Sequence, residues 1–321
     1  MNEGAPVRAV VFDQSLRFDS QAELRSAKAG EIVVDVTRAG ICETDLQLCQ
    51  GYMGFRGILG HEFVGIARSG KFAGQRVVGE INCSCGVCPL CRQRLGNHCP
   101  NRTVVGIVAH DGAFADSVLI PEINLHRVPD QISDETAVFV EPVAAACRIP
   151  EQLPLQGGER VTVLGDGRLG NLCAQVLRHH GCKVRVVGKH DFKLKILADL
   201  GIEALKLDQL SLDRTSDIVV DCTGSPTGLE TALGLVRPCG TIVLKTTVAA
   251  DQKLHMAPFV IDEITLLGSR CGPFDKALDL LSQGVVDVAP LLSARYPLED
   301  AEKAFAHAIR KDSLKVLFEV K

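Results

Sequence analysis

The most specific chemistry in the chain is carried by Cys85, Cys88, Cys91 and Cys99. Two-residue spacers let neighbouring thiolates curl around one ion, and a fourth sulfur closes a tetrahedral shell; that donor set selects zinc. A shell complete in sulfur leaves no position for substrate, so the 83–99 lobe reads as a structural zinc site. Cys83 lies outside the spacing. A second group pairs Gly40-Ile41-Cys42-Glu43-Thr44-Asp45 with Gly60-His61-Glu62. One thiolate and one imidazole, completed by a carboxylate or water, would make an open zinc site able to accept an oxygen ligand. Asp45 is placed to orient a ligand rather than to be one.

A third motif, Gly165-Asp166-Gly167-Arg168-Leu169-Gly170, follows the apolar run RVTVL and opens a helical pattern. That is the context in which GxGxxG binds a dinucleotide. Gly165 permits the tight turn, Gly167 lets the backbone approach the pyrophosphate, and Gly170 lets helix and strand pack closely. Arg168 and Leu169 begin a helix whose N-terminal N–H groups face the phosphates. The next strand, KVRVV, ends in Gly188-Lys189-His190, with Asp191 only afterwards. An NAD site normally offers an acid where Gly188 stands. Its absence favours NADP, with Lys189 and His190 toward the extra phosphate; NAD stays open if Asp191 bends back to the ribose.

The elements that must position these residues follow from periodicity. Segments such as VRAVVF, EIVVDVTRAG and GQRVVGE predict a β-rich, barrel-like domain over 1–150. From 151 to 268, strands alternate with helical patterns (DFKLKILADLG, TGLETALGLV), predicting βαβ units, a parallel sheet and an α/β fold. The stretch RIPEQLPLQGGE at the change of texture is rich in Pro, Gly and polar residues, as a crossing between domains should be.

The 321 residues carry a formal charge of −4, with 35 basic against 39 acidic side chains. That balance argues against a nucleic-acid or membrane-surface binder, including the reading of the cysteine lobe as a finger. No apolar run nears the ~20 residues of a membrane span, and the start of the chain has no signal-peptide pattern. Thirteen cysteines without such a signal, an odd total, predict reduced thiols and a cytoplasmic location.

Taken in order, GICETD, LGHEFVG, CGVCPLCRQRLGNHC, DGAFADSVLIP, FVEPVAAA, the glycine-rich turn, DCTGSP and YPLEDAEKAFAHA…LKVLFEV resemble the zinc-dependent medium-chain alcohol dehydrogenase superfamily, in its sorbitol, threonine and glucose dehydrogenase branch. The resemblance covers nearly the whole chain. It implies a GroES-like catalytic domain completed by a returning segment, 269–321, and a Rossmann cofactor domain. It places Cys42, His61, Glu62 and Glu141 at a catalytic zinc, with the two glutamates alternating or acting through water. Cys85, Cys88, Cys91 and Cys99 fall on the structural zinc, giving two zinc ions per chain. Cys222 and Thr223 fall beside the dinucleotide. The implied reaction is reversible oxidation of a secondary alcohol, sugar or polyol, with Thr44 bonding the substrate oxygen and passing its proton on. A homo-oligomer, dimer or tetramer, is also implied.

The chain departs from this pattern at three places. Gln47 stands where a relay histidine is usual, Glu43 replaces a glycine, and Lys245 follows the GTIVL strand where glycine is usual. A zinc-free NADPH-dependent reductase of the same superfamily and an inactive cofactor-binding remnant are the competing readings. Tyr52, Phe55, Phe114 and Arg270 are candidates to line the substrate pocket.

Overall fold

The computed structural model describes residues 6–247 and 255–321. They form two compact units, residues up to Glu141 with Leu291–Lys321, and Pro142–Pro290. These dividing points differ from the sequence boundaries at 150 and 268. Helix Val140–Gln152 runs through the first. Helix Phe274–Ser282 and the turn beyond it belong to the second unit, where the buried Gln175 side chain exchanges two hydrogen bonds with the Asp287 backbone, 2.9 and 2.7 Å.

The first unit is built on a mixed, mainly antiparallel sheet. Its strands run in the order Leu125–Arg127, Arg76–Gly79, Glu62–Ala67, Glu31–Gly40, Lys315–Glu319 and Leu292–Pro297, with Ser117–Pro121 also pairing on Glu31–Gly40. Glu31–Gly40 can be central because Ile32, Val34 and Val36, on alternate positions, are all buried. Its last residue, Gly40, lies opposite Glu62 on one neighbour and Leu317 on the other. Residues far apart in sequence therefore meet at one end of this strand.

The second unit is a six-stranded parallel sheet ordered Glu203–Lys206, Lys183–Gly188, Arg160–Leu164, Ser216–Asp221, Val236–Leu244, Thr265–Gly268. This is the doubly wound Rossmann order, and its direction of growth reverses between the third and fourth of these strands. The carboxyl ends of those two strands are tied by a 2.8 Å bond from Cys222 N to Leu164 O, which marks the crevice where such sheets bind ligands. Leu164, Val187, Val219, Ala232, Ile242, Phe259 and Ile264 form part of the core behind it.

The glycines of the turn have distinct steric duties. Gly165 has φ +111°, and a Cβ there would lie 2.8 Å from Cys222 O. A Cβ on Gly170 would lie 2.0 Å from Gly165 O, so helix Arg168–His179 can sit against its strand only with hydrogen at that position. A Cβ on Gly167 would meet nothing within 4 Å, leaving open space at the helix N-terminus. Gly170→Ala must push backbone apart. It should cost about 1–3 kcal/mol, read as a lower unfolding temperature, whereas Gly167→Ala should leave that temperature nearly unchanged.

Candidate metal centres and dinucleotide site

Cys42 leaves strand Glu31–Gly40 and caps helix Glu43–Cys49. Its backbone N–H donates to Asp45 Oδ2 at 2.8 Å. The other oxygen, Asp45 Oδ1, accepts from Gly60 N at 3.2 Å and lies 3.3 Å from His61 Nδ1. One fully buried carboxylate thus ties the loop carrying Cys42 to the loop carrying His61. The second loop is fixed from behind. Gly60, at φ +97°, is covered by Phe114, whose ring a Cβ would approach to 2.3 Å. Phe114 in turn packs edge-on to Phe318, with centroids 4.9 Å apart. Phe114 is fully buried and backs the His61 loop, while the largely buried Phe55 lines a separate surface pocket with Arg56 and Ile107.

One donor atom each from Cys42, His61 and Glu62 lies within 4.8 Å of the others, close enough to share an ion. The set fits zinc in chemistry as well: one soft sulfur, one imidazole, one carboxylate. Burial alone would push the His61 imidazole down; the Asp45 carboxylate and the Cys42 thiol outweigh it and hold it well above the ordinary histidine range. A metal must displace that proton to use the ring. Thr44 Oγ1 is 3.9 Å from Cys42 Sγ, on the first turn of the same helix. Glu141 sits in the first turn of helix Val140–Gln152 and is not part of the converged group.

The residue that sequence reasoning missed is Lys315. Its ammonium forms an ion pair with Glu62 Oε2, and the two side chains are 1 % and 2 % exposed. It also reaches Ile41 O at 3.4 Å and stands over the Phe139 ring, 5.5 Å from its centroid. A Cβ on Gly40 would press on Val138, Glu62 and Lys315 together, at 2.7, 3.1 and 3.3 Å. The signal was a lysine preceding the apolar run Val316-Leu317-Phe318 in the closing strand, KVLFE.

The four sulfurs of the lobe also converge, with Cys88–Cys91, Cys85–Cys99 and Cys88–Cys99 at 3.4, 3.5 and 3.8 Å. Backbone N–H groups of Val87 and Cys88 pull the Cys85 thiol down to about 6. Cys88 is pushed up to about 11, because burial and the three neighbouring sulfurs outweigh the N–H of Cys91. Four sulfurs this close are a shell suited to one cation, whose binding would displace the remaining thiol protons.

In the second unit the sequence motifs gather at the carboxyl ends of the strands. Gly165, Gly167, Arg168, Leu169 and Gly170 form the turn and helix start. Thr223 Oγ1 donates to Asp221 Oδ1 at 2.7 Å, and Cys222 Sγ lies 3.9 Å from Cys173 Sγ. The Lys245 ammonium is committed locally, donating to Ala145 O, Arg270 O and Ser269 Oγ at 2.6, 3.1 and 3.3 Å. Gly188 ends its strand without an acid, yet a carboxylate stands there: Asp166 Oδ2 accepts from Lys189 N and His190 N, both at 2.7 Å. The strand end itself carries no acid, as the sequence reads, and the glycine-rich turn sets the Asp166 carboxylate beside it.

The buried pair makes a measurable demand on the first unit. Lys315→Met leaves the Glu62 carboxylate buried and unpaired, and should destabilise metal-free protein by about 3–5 kcal/mol. Glu62→Gln combined with Lys315→Met should recover most of that loss in the same thermal melts.

Comparison with known proteins agrees with this architecture. Residues 28–130 match the alcohol dehydrogenase GroES-like domain and residues 169–283 the zinc-binding dehydrogenase family. An L-threonine 3-dehydrogenase of Streptomyces avermitilis is 30% identical over 319 residues, covering 90% of this chain and 92% of its own. A 2-dehydro-3-deoxy-L-galactonate 5-dehydrogenase of Pseudoalteromonas atlantica is 29% identical over 302 residues, 87% of this chain and 88% of its own. Among solved structures, the alcohol dehydrogenase TADH from Thermus sp. ATN1 superposes with a TM-score of 0.88 at 28% identity, covering 98% of this chain and 100% of that one. With a GroES-like catalytic unit, a Rossmann unit and relatives of this kind along nearly its full length, the chain belongs to the zinc-dependent medium-chain dehydrogenase superfamily.

Proposed function

We propose that this chain is a zinc-dependent dehydrogenase moving a hydride between a nicotinamide dinucleotide and a secondary alcohol, sugar or polyol. The observation that carries the reading is the convergence of Cys42, His61 and Glu62 around a common point, with Asp45 locking both loops. The named activities of the relatives, on threonine and on a sugar acid, support the substrate class.

Cys42 and His61 would hold the catalytic zinc, with Glu62 or Glu141 as the exchangeable carboxylate; Cys85, Cys88, Cys91 and Cys99 would hold the structural one. When bound, the catalytic ion supplies Lewis acidity that makes an alcohol acidic near neutral pH. The chain's own residues do the rest. Asp45 fixes the imidazole, and Lys315 restrains Glu62 by pairing one of its oxygens. Thr44 receives the hydroxyl proton of the substrate; Gln47 cannot take it up, so it leaves through ribose hydroxyls, water or a neighbouring acid. Gly165, Gly167 and Gly170, with the helix start at Arg168 and Leu169, hold the dinucleotide phosphates; Cys222 and Thr223 border the same crevice.

We infer a cytoplasmic location from the odd total of thirteen cysteines, four of them gathered as a metal-type tetrad. No described helix is long and apolar enough to cross a membrane. We further infer a homo-oligomer formed through the edge of the parallel sheet. Among the described residues, strand Thr265–Gly268 pairs on one side only. Nearby helix Ala257–Ile261 shows Val260 and Ile261 each 77% exposed, as an unshared surface seldom does.

Three measurements test this reading. Purified protein should contain two zinc ions per chain by elemental analysis and turn over at least one member of a panel of polyols, aldoses, amino alcohols and simple secondary alcohols. Cys42→Ala should keep one zinc and the affinity for reduced dinucleotide while losing turnover by at least about a hundredfold; retained turnover would remove the metal from the chemistry. Val260→Lys with Ile261→Lys should shift the light-scattering mass from oligomer to monomer.

A further inference from the structure

We propose that Asp166, in the glycine-rich turn, is the acid that reads the adenosine ribose in this chain, and that it selects NAD against NADP. The inference rests on the dehydrogenase reading above and assigns the cofactor that reading leaves open.

Steric exclusion is the first observation. A Cβ on Gly188 would lie 2.4 Å from both Cβ and Oδ2 of Asp166 and 2.6 Å from its Cγ. Positions 166 and 188 have room for one side chain between them. The strand end lacks its acid because the turn already supplies one, projected into the same volume.

Charge and hydrogen bonding are the second. Asp166 Oδ2 takes the N–H groups of Lys189 and His190, both at 2.7 Å, and both carboxylate oxygens lie 3.1 Å from His190 Nδ1. These bonds fix the carboxylate and consume groups that would otherwise receive a ribose phosphate. His190, expected to face that phosphate, is turned to Asp166 instead. Asp191, the other acid that might have served the ribose, pairs with Lys206 at 2.9 Å. Each carboxylate oxygen has two acceptor positions, so Oδ1, which among the described residues is met by the His190 ring, can still accept from a hydroxyl. A 2′-phosphate would bring a second anion against a buried carboxylate, an arrangement that disfavours both charges.

The test is direct titration of metal-replete protein with NADH and with NADPH, followed by the fluorescence of the reduced nicotinamide in a chain that has no tryptophan. The wild type should bind NADH at least tenfold more tightly than NADPH. Asp166→Gly should erase most of that preference by weakening NADH and relieving NADPH. Asp166→Gly combined with Gly188→Asp, which returns the acid to the strand end where the vacated space admits it, should restore the preference. A purely structural Asp166 would predict that the single variant weakens both dinucleotides in proportion, and an unchanged ratio overturns the proposal. Wild-type protein that binds NADPH as tightly as NADH overturns it as well. Binding of neither dinucleotide would instead bring down the dehydrogenase reading, and this proposal with it.

Discussion

The carboxylate of Asp45 is the constraint on which the catalytic unit depends. Burying a charge is costly unless its oxygens are satisfied, and here both accept a hydrogen bond, from Cys42 N at 2.8 Å on one and Gly60 N at 3.2 Å on the other, with the His61 ring 3.3 Å from the second as an ion-pair neighbour. The same contacts that make the burial tolerable fix where two donors point. Without them Cys42 and His61 would be ends of separate loops, each free to turn away. With them the fold itself brings thiol and imidazole together, so an ion bound there would have less ordering to impose.

Around that tie the packing is tight and non-local. Strand Lys315–Glu319, from the end of the chain, pairs against Glu31–Gly40 and delivers a lysine to Glu62, whose position along the sequence is 253 residues away. Gly40 is small because Val138, Glu62 and Lys315 crowd it, and Gly60 is small because Phe114 lies over it. The glycines of GIC and GHE are thus read as clearance for neighbouring side chains. In the cofactor unit, Gly170 and Gly188 do the same work for Gly165 O and Asp166.

Much of this was legible in the sequence because it is local. Cysteine spacing specified the tetrad, and the strand–glycine turn–helix order specified the dinucleotide turn. The alternation of strands and helices specified a parallel sheet. Asp45, three residues after Cys42, is close enough in sequence for a tie to the Cys42 loop to be expected. What escaped was set by distance in sequence or by side-chain direction. Nothing local says that Lys315 meets Glu62, that Asp166 fills the space above Gly188, or that Phe114 supports the His61 loop. Lys245 stands where the family pattern has glycine, and its ammonium donates to the Ala145 and Arg270 carbonyls and the Ser269 hydroxyl. Glycine-poor departures from a family pattern are hard to weigh until the partner that absorbs them is visible.

Cys42 and His61 are proposed to grip one zinc ion, apart from a second proposed for the four-sulfur shell. Anomalous diffraction on either side of the zinc absorption edge, from crystals grown with zinc, tests it most directly. Two peaks per chain are expected, one inside the Cys85, Cys88, Cys91 and Cys99 shell and one within bonding distance of Cys42 Sγ and His61. A single peak, confined to the four-sulfur shell while Cys42 and His61 remain bare, would contradict it.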